Sequence, residues 1–264
     1  MNNNNGKDIF EWQVHEEYTE EMHEVLFDGL HYRLEIFIAG QGNLKKYHPS
    51  DYPTLYTEFQ RISDKQSAFK FIREFGLPNG QAENLNQILM DARNVQECLR
   101  LYEALKQNLP LRGIDLEELR DKDRVNASEK LKKYSKKYIQ GMGEKAWFQI
   151  ILDKVKAAEQ ERTPDQGREA LLQHVNRHLE GVKPVLAYYK GEFTFNRTCD
   201  SLLQYIYLQI FDLISNRNNF VQCLDCGSWF TPTKKGMRFC PPLPGQRKSS
   251  CSNRYYVRKH REEN

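Results

Sequence analysis

The chain has 264 residues, enough for one large domain or a medium domain with a small appendage, with 28% charged and 39% hydrophobic residues and a mean hydropathy of −0.77. Such a composition describes a soluble, helix-rich protein. No run approaches the roughly 18 apolar residues of a membrane span, and the start at Met1-Asn2-Asn3-Asn4-Asn5 lacks a signal-peptide core. A cytoplasmic protein with no membrane association is expected, its Asn-rich start a frayed leader.

The elements are expected as an α+β body, mostly α-helical, with short β-hairpins. Val25-Leu26-Phe27 and the run Leu30 to Ile38 flank Asp28-Gly29, a turn favoured in two-residue hairpins. In the second run Tyr32, Leu34, Ile36 and Ile38 share one face, with Arg33 and Glu35 opposite. Residues 8–15 are a candidate third strand. Helical spacing begins at Leu55, Phe59 and Ile62, continues through Phe69, Ile72 and Phe75, and stops at Gly76-Leu77-Pro78. Residues 81–108 repeat it through Ile88, Ala92, Val95 and Leu99. A linker or short helix is expected over 112–126. Over 127–160 the pattern predicts a helix broken near Gly141-Met142-Gly143, its lysine run a solvated face.

Thr163-Pro164-Asp165-Gln166 reads as a capped helix start, in which Gln166 reaches back to Thr163. That helix should end at Gly181. Val185 to Tyr189 and Phe193-Thr194-Phe195 form a second hairpin around Lys190-Gly191. The most regular apolar stripe follows, with Leu203, Ile206, Tyr207, Ile210, Leu213 and Ile214, ending near Asn216. Phe220-Val221-Gln222 then leads as a short strand into the cysteines. The expected division is a helical domain over 1–219 and a metal-binding module over 220–264.

Four of the six cysteines, Cys223, Cys226, Cys240 and Cys251, fall in the pattern C-x2-C-x13-C-x10-C. The two-residue gap lets one pair bite a metal from a tight turn, and Gly227 suits the positive φ such a turn tends to need. Redox sites share a lone C-x2-C. The second pair, after a plausible hairpin in a basic setting, points instead to one structural Zn2+, since four thiolates leave no open coordination position. Cys98 and Cys199 stand alone and read as small core residues.

Charge is divided as well. From Cys226 to Arg261 nine of the 39 Lys and Arg occur without an acid, which leaves 30 cations against 36 acids elsewhere. An acidic body with a basic tail suggests a polyanionic partner. A helix from about Ser252 to Glu262 places Arg254, Arg258 and Arg261 at i, i+4 and i+7, with Lys259, Arg247 and Lys248 nearby. Asn253 is placed either to read an adenine edge or to cap that helix.

Ser201-Leu202-Leu203 through Leu208-Gln209, followed by Phe220-Val221-Gln222-Cys223-Leu224-Asp225-Cys226-Gly227, then Phe230-Thr231-Pro232, Arg238-Phe239-Cys240 and the basic ending from Cys251-Ser252-Asn253-Arg254 to Arg261, resembles bacterial CGNR-type zinc-finger proteins. Ser252 stands where that signature has glycine, and the gap before Cys251 is longer. The resemblance covers about 60 residues and is fainter over Pro53 to Pro78. It implies an ABATE-like helical body, one structural zinc and a transcriptional regulator. Nucleic acid, duplex DNA first, is then the expected partner, and the body would sense a ligand or form a homodimer.

Two other functions compete. A protein-interaction zinc module needs no nucleic acid. An RNase effector of the HEPN type is suggested by Arg168 and His174 in R-x5-H spacing, although Glu169 is not the small polar residue usual there. Arg168, His174 and His178 are otherwise expected at the surface, and no catalytic residue is assigned.

Overall fold

The computed structural model describes residues 11–27, 30–40, 43–80, 82–111, 114, 116, 163–189, 192–242 and 246–263. The linker expected over 112–126, apart from Ile114 and Leu116, and the helix expected over 127–160 lie outside them. Asp28-Gly29, Lys190-Gly191 and the leader do too. The described chain is α+β, mostly helical, with small antiparallel sheets. No described helix is long and apolar enough to cross a membrane.

Strands β1 (Trp12–His15) and β4 (Leu44–Tyr47) pair antiparallel, Trp12 opposite Tyr47. Strands β2 (Tyr18–Phe27) and β3 (Leu30–Ala39) form the long hairpin, in a register that sets Phe27 opposite Leu30. A third strand, β5 (Ala82–Asn84), adds to β3 by pairing Phe37 with Glu83. Among the β3 residues whose burial is described, Phe37 is fully buried, whereas Leu34, Ile36 and Ile38 are half-buried. Its ring meets Phe69 at 5.8 Å, so α2 packs on it.

Helix α1 (Leu55–Phe59) is short, and α2 (Lys65–Phe75) follows a capping box between Asp64 and Ser67. Helix α2 ends because Gly76 adopts φ +90°, donating its N–H to Ile72 O at 2.8 Å. A Cβ there would stand 2.9 Å from Trp12 Nε1 and 3.0 Å from Gln13 O. Gly76→Ala should therefore destabilise by about 1–3 kcal/mol. At about 2–4 °C per kcal/mol, the loss will register as a lower melting temperature; an unchanged one would show that the turn relaxes freely.

Helix α3 (Leu85–Lys106) buries Ile88, Ala92, Val95, Cys98 and Leu99, and α4 (Pro164–His178) begins with the expected reciprocal cap. Gln166 Oε1 accepts from Thr163 N–H at 2.9 Å, and Thr163 Oγ1 accepts from Gln166 N–H at 3.3 Å. The second hairpin is β6 (Lys183–Tyr189) with β7 (Glu192–Thr198). Helix α5 (Leu202–Ser215) carries the long apolar stripe, capped by Ser201.

The described chain divides into two compact units, one of residues 1–96 with 177–264 and one of 97–176. In the first, α1 packs on α5, and Gln209 ties them: its Oε1 accepts from Tyr56 N–H and its Nε2 donates to Tyr52 O. Leu55, Phe59, Ile72, Ile206, Tyr207 and Ile210 are buried there, each worth roughly 1.5–3 kcal/mol for an aliphatic or Phe side chain. In the second, Gly167 lets α4 approach Leu101, Leu105 and Leu111 closely.

Candidate metal centre

Strand β8 (Val221–Gln222) runs into a tight turn and returns as β9 (Trp229–Phe230), and the first two cysteines sit in that turn. Cys223 N–H donates to Ser228 O at 2.9 Å and Gly227 N–H to Cys223 O at 3.0 Å, with Gly227 at φ +72°. The positive φ expected of Gly227 is present. Leu224 N–H donates to Arg238 O at 3.0 Å, which brings the Cys240 segment against the first turn. Cys251 comes from the first turn of α6 (Ser250–Glu263).

Together the four thiols form one cluster, all Sγ atoms within 4.8 Å of one another. Cys226 Sγ lies 3.6 Å from Cys240 Sγ and 3.7 Å from Cys251 Sγ. A tetrahedron with metal–sulfur arms of about 2.3 Å has edges of roughly 3.8 Å, so the thiols are spaced to share a single ion. Cys223, Cys240 and Cys251 are buried and Cys226 is half-buried, with Phe230 packed beside them. Such thiols cannot titrate independently. Hydrogen bonding from Cys223 and its neighbours holds Cys226 well below the ordinary thiol range, and hydrogen bonding to the same set drives Cys240 above it.

Two arginines reach the cluster. Arg254 Nη2 donates to Cys251 Sγ at 3.3 Å, and Arg61 Nη2, arriving from just after α1, donates to the same sulfur at 3.4 Å. Arg61 Nη1 also grips both Glu58 oxygens at 2.5 and 2.6 Å. Burial alone would lower the Arg61 pKa, but Glu58 and the cysteines hold it above the usual range. Burial raises Glu58 against the pull of Arg61. The short bidentate contact favours the ionised pair.

The module is fastened to α1 at two further points. Gln60 presents its amide to Trp229 as a strand would, Nε2 donating to Trp229 O at 2.6 Å and Oε1 accepting from Trp229 N–H at 2.9 Å. Tyr56 Oη accepts from Thr231 N–H at 3.1 Å. Nothing near the cysteines in sequence points to these residues, which lie 169 to 190 positions away.

The basic residues of the tail divide into two groups. Arg254 and Arg258 both pair with Asp225, at 2.8 and 3.4 Å, and cover it to 3% side-chain exposure while staying more than half exposed themselves. Asp225 lies one residue before the acid-free stretch, so charge counting passes over it. Lys259 lies 3.6 Å from Glu263. Lys234, Lys235, Arg238, Arg247, Lys248 and Arg261 are exposed and make no ion pair among the described residues. Asn253 is exposed inside α6 and is not its cap. That role falls to Ser249, whose Oγ accepts from Ser252 N–H at 3.4 Å, because the helix starts two residues earlier than expected.

The histidine expectation needs correcting. His174 is fully buried, since Gly167, Ala170, Leu171, His174 and Val175 form the inward stripe of α4. His178 is half-buried and stacks on Tyr207 at 3.9 Å. Arg168 is exposed and pairs with Asp165, so the two members of the R-x5-H spacing do not converge. Cys98 and Cys199 are buried as expected.

Comparison of the chain with protein-family models, with curated proteins and with solved structures gives no match. Fold and site together define an α+β protein with a C-terminal four-cysteine module able to hold one metal ion.

Proposed function

We propose that the metal is zinc and that the protein is a nucleic-acid-binding regulator, similar in its tail to the CGNR-type proteins. All four positions around the ion are thiolate, and zinc favours that tetrahedral set. Its role is structural: it fastens α6 and the 231–240 segment to β8 and β9. The observation that carries the reading is the group of six exposed cations spread over this module with no carboxylate partner among the described residues. Phosphates supply such a partner, and their contacts set affinity and position. The body would act as sensor or homodimer platform.

Binding should be strongly salt-dependent, log K falling by about 0.9 per phosphate contacted on a duplex. Arg247, Lys248 and Arg261 are the cations to remove, because Arg254 and Arg258 hold Asp225. Their joint replacement by Ala should flatten the salt slope by as much as about 3, with metal content unchanged. Titrations of duplex DNA and of RNA at several salt concentrations test this. If zinc-loaded protein binds neither at low salt, the module is a protein-interaction device.

A further inference from the structure

We infer that the metal module takes single-stranded nucleic acid in preference to duplex, with a backbone phosphate in the 232–238 loop and a base against Tyr256. The inference rests on the nucleic-acid reading above and adds the strandedness of the ligand and the two subsites. Between the 232–238 loop and Val221 lies an open cavity of about 320 Å³. Lys234, Lys235 and Arg238 line it, all exposed and none in an ion pair among the described residues. Gly236, at φ +80°, forms part of its wall, and a Cβ there would meet nothing within 4 Å. Three cations around a concave opening suit an anionic phosphate group.

The next residue along is aromatic. Phe239 packs with Tyr255 and Tyr256 at centroid distances of 5.2 and 5.9 Å, and Tyr255 meets Tyr256 at 5.6 Å, edge to face. These neighbours hold Tyr256 in place yet leave it 60% exposed, and Val257 beside it is 52% exposed. The Arg258 guanidinium lies 5.8 Å from the Tyr255 ring centre. Since Arg238 and Phe239 are consecutive, their backbones are about 3.8 Å apart. The cavity-lining segment thus runs directly into Phe239, which packs on Tyr256.

An exposed ring next to a cationic groove is how single strands are held, because an unpaired base offers a face to stack on. Bases in a duplex are already stacked and offer Tyr256 nothing. The helix face is also a poor major-groove reader, since Arg254 and Arg258 are turned to Asp225 and Lys259 to Glu263.

Fluorescence anisotropy with a labelled oligothymidylate of about 16 nucleotides, and with a duplex of the same length, tests the assignment on full-length zinc-loaded protein. The single strand should bind more tightly. Tyr256→Ala should weaken it roughly 5- to 150-fold while changing duplex affinity little, and Tyr256→Phe should retain it. Joint replacement of Lys234, Lys235 and Arg238 by Ala should flatten the single-strand salt slope by about 2. Metal content reports whether each variant keeps its module. Tighter duplex binding, or equal losses on both ligands for Tyr256→Ala, overturns the inference and leaves nucleic-acid binding standing. No binding of wild-type protein to either ligand overturns both.

Discussion

Purified protein should carry about one zinc per chain, and the double variant Cys223→Ser, Cys251→Ser should carry none. Zinc in small finger peptides contributes roughly 10–16 kcal/mol to folding. The loss here should spread beyond the tail, because Gln60 and Trp229 exchange two hydrogen bonds and Arg61 donates to Cys251. Chelation should therefore remove amide protection across 221–240, and lower it in α1 at Tyr56 and Gln60. The core around Ile72, Phe75 and Ile206 should stay protected, since it is buried by α2 and α5 without help from the metal. Acid should have the same effect as chelator, because protons compete with the ion for the four sulfurs. Hydrogen exchange with and without chelator reads this directly. Stoichiometric metal in the double variant, or unchanged protection at Gln60, would end the account.

The parts of this architecture that were legible in the sequence are those specified by local chemistry. Thr163 and Gln166 announce a capping box within four residues, and α5 shows its apolar stripe over four turns. Asp28-Gly29 and Lys190-Gly191 mark the two hairpins, and the cysteine spacing marks the metal cluster. Where partners are distant in sequence, pattern was silent. Strand β5 is built from Ala82, Glu83 and Asn84, poor strand formers that pair only because β3 offers an edge. Alternation along β3 does not single out Phe37, which α2 buries by setting Phe69 against it. Glu83 is an acid buried beneath such packing, and desolvation raises its pKa to about 7 against the hydrogen bonds of Asn79. His174 is expected at the surface, yet it belongs to the inward stripe of α4 with Ala170, Leu171 and Val175. Asp225 shows the same limit for charge, as one carboxylate just outside the acid-free stretch pairs with Arg254 and Arg258.

Arg61→Met should cost about 3–5 kcal/mol, the usual penalty for stranding one member of a buried ion pair. Glu58 and Arg61 are 16% and 20% exposed at their side chains, so water replaces the lost guanidinium poorly. The methionine fills much of the same volume, which keeps the effect electrostatic rather than a cavity. Burial already raises the Glu58 pKa with Arg61 present, and without it the carboxyl will take up a proton more readily still. A group with a raised folded pKa stabilises below its unfolded pKa and loses that contribution as pH rises through the folded one. The variant should accordingly be weakest toward neutral and alkaline pH. Pairing it with Glu58→Gln removes the stranded charge and should recover most of the loss. The metal supplies a second readout that simple destabilisation would not move in the same order. Arg61 donates to the Cys251 sulfur, and losing such an outer partner typically lowers metal affinity about 10- to 100-fold. In the double variant stability should return while zinc affinity stays low, because the Cys251 sulfur keeps Arg254 but still lacks its second donor. Competition with a chromogenic chelator measures the affinity, and urea unfolding the stability. If Arg61→Met keeps both wild-type stability and wild-type zinc affinity, the contact between α1 and the metal module carries no energy.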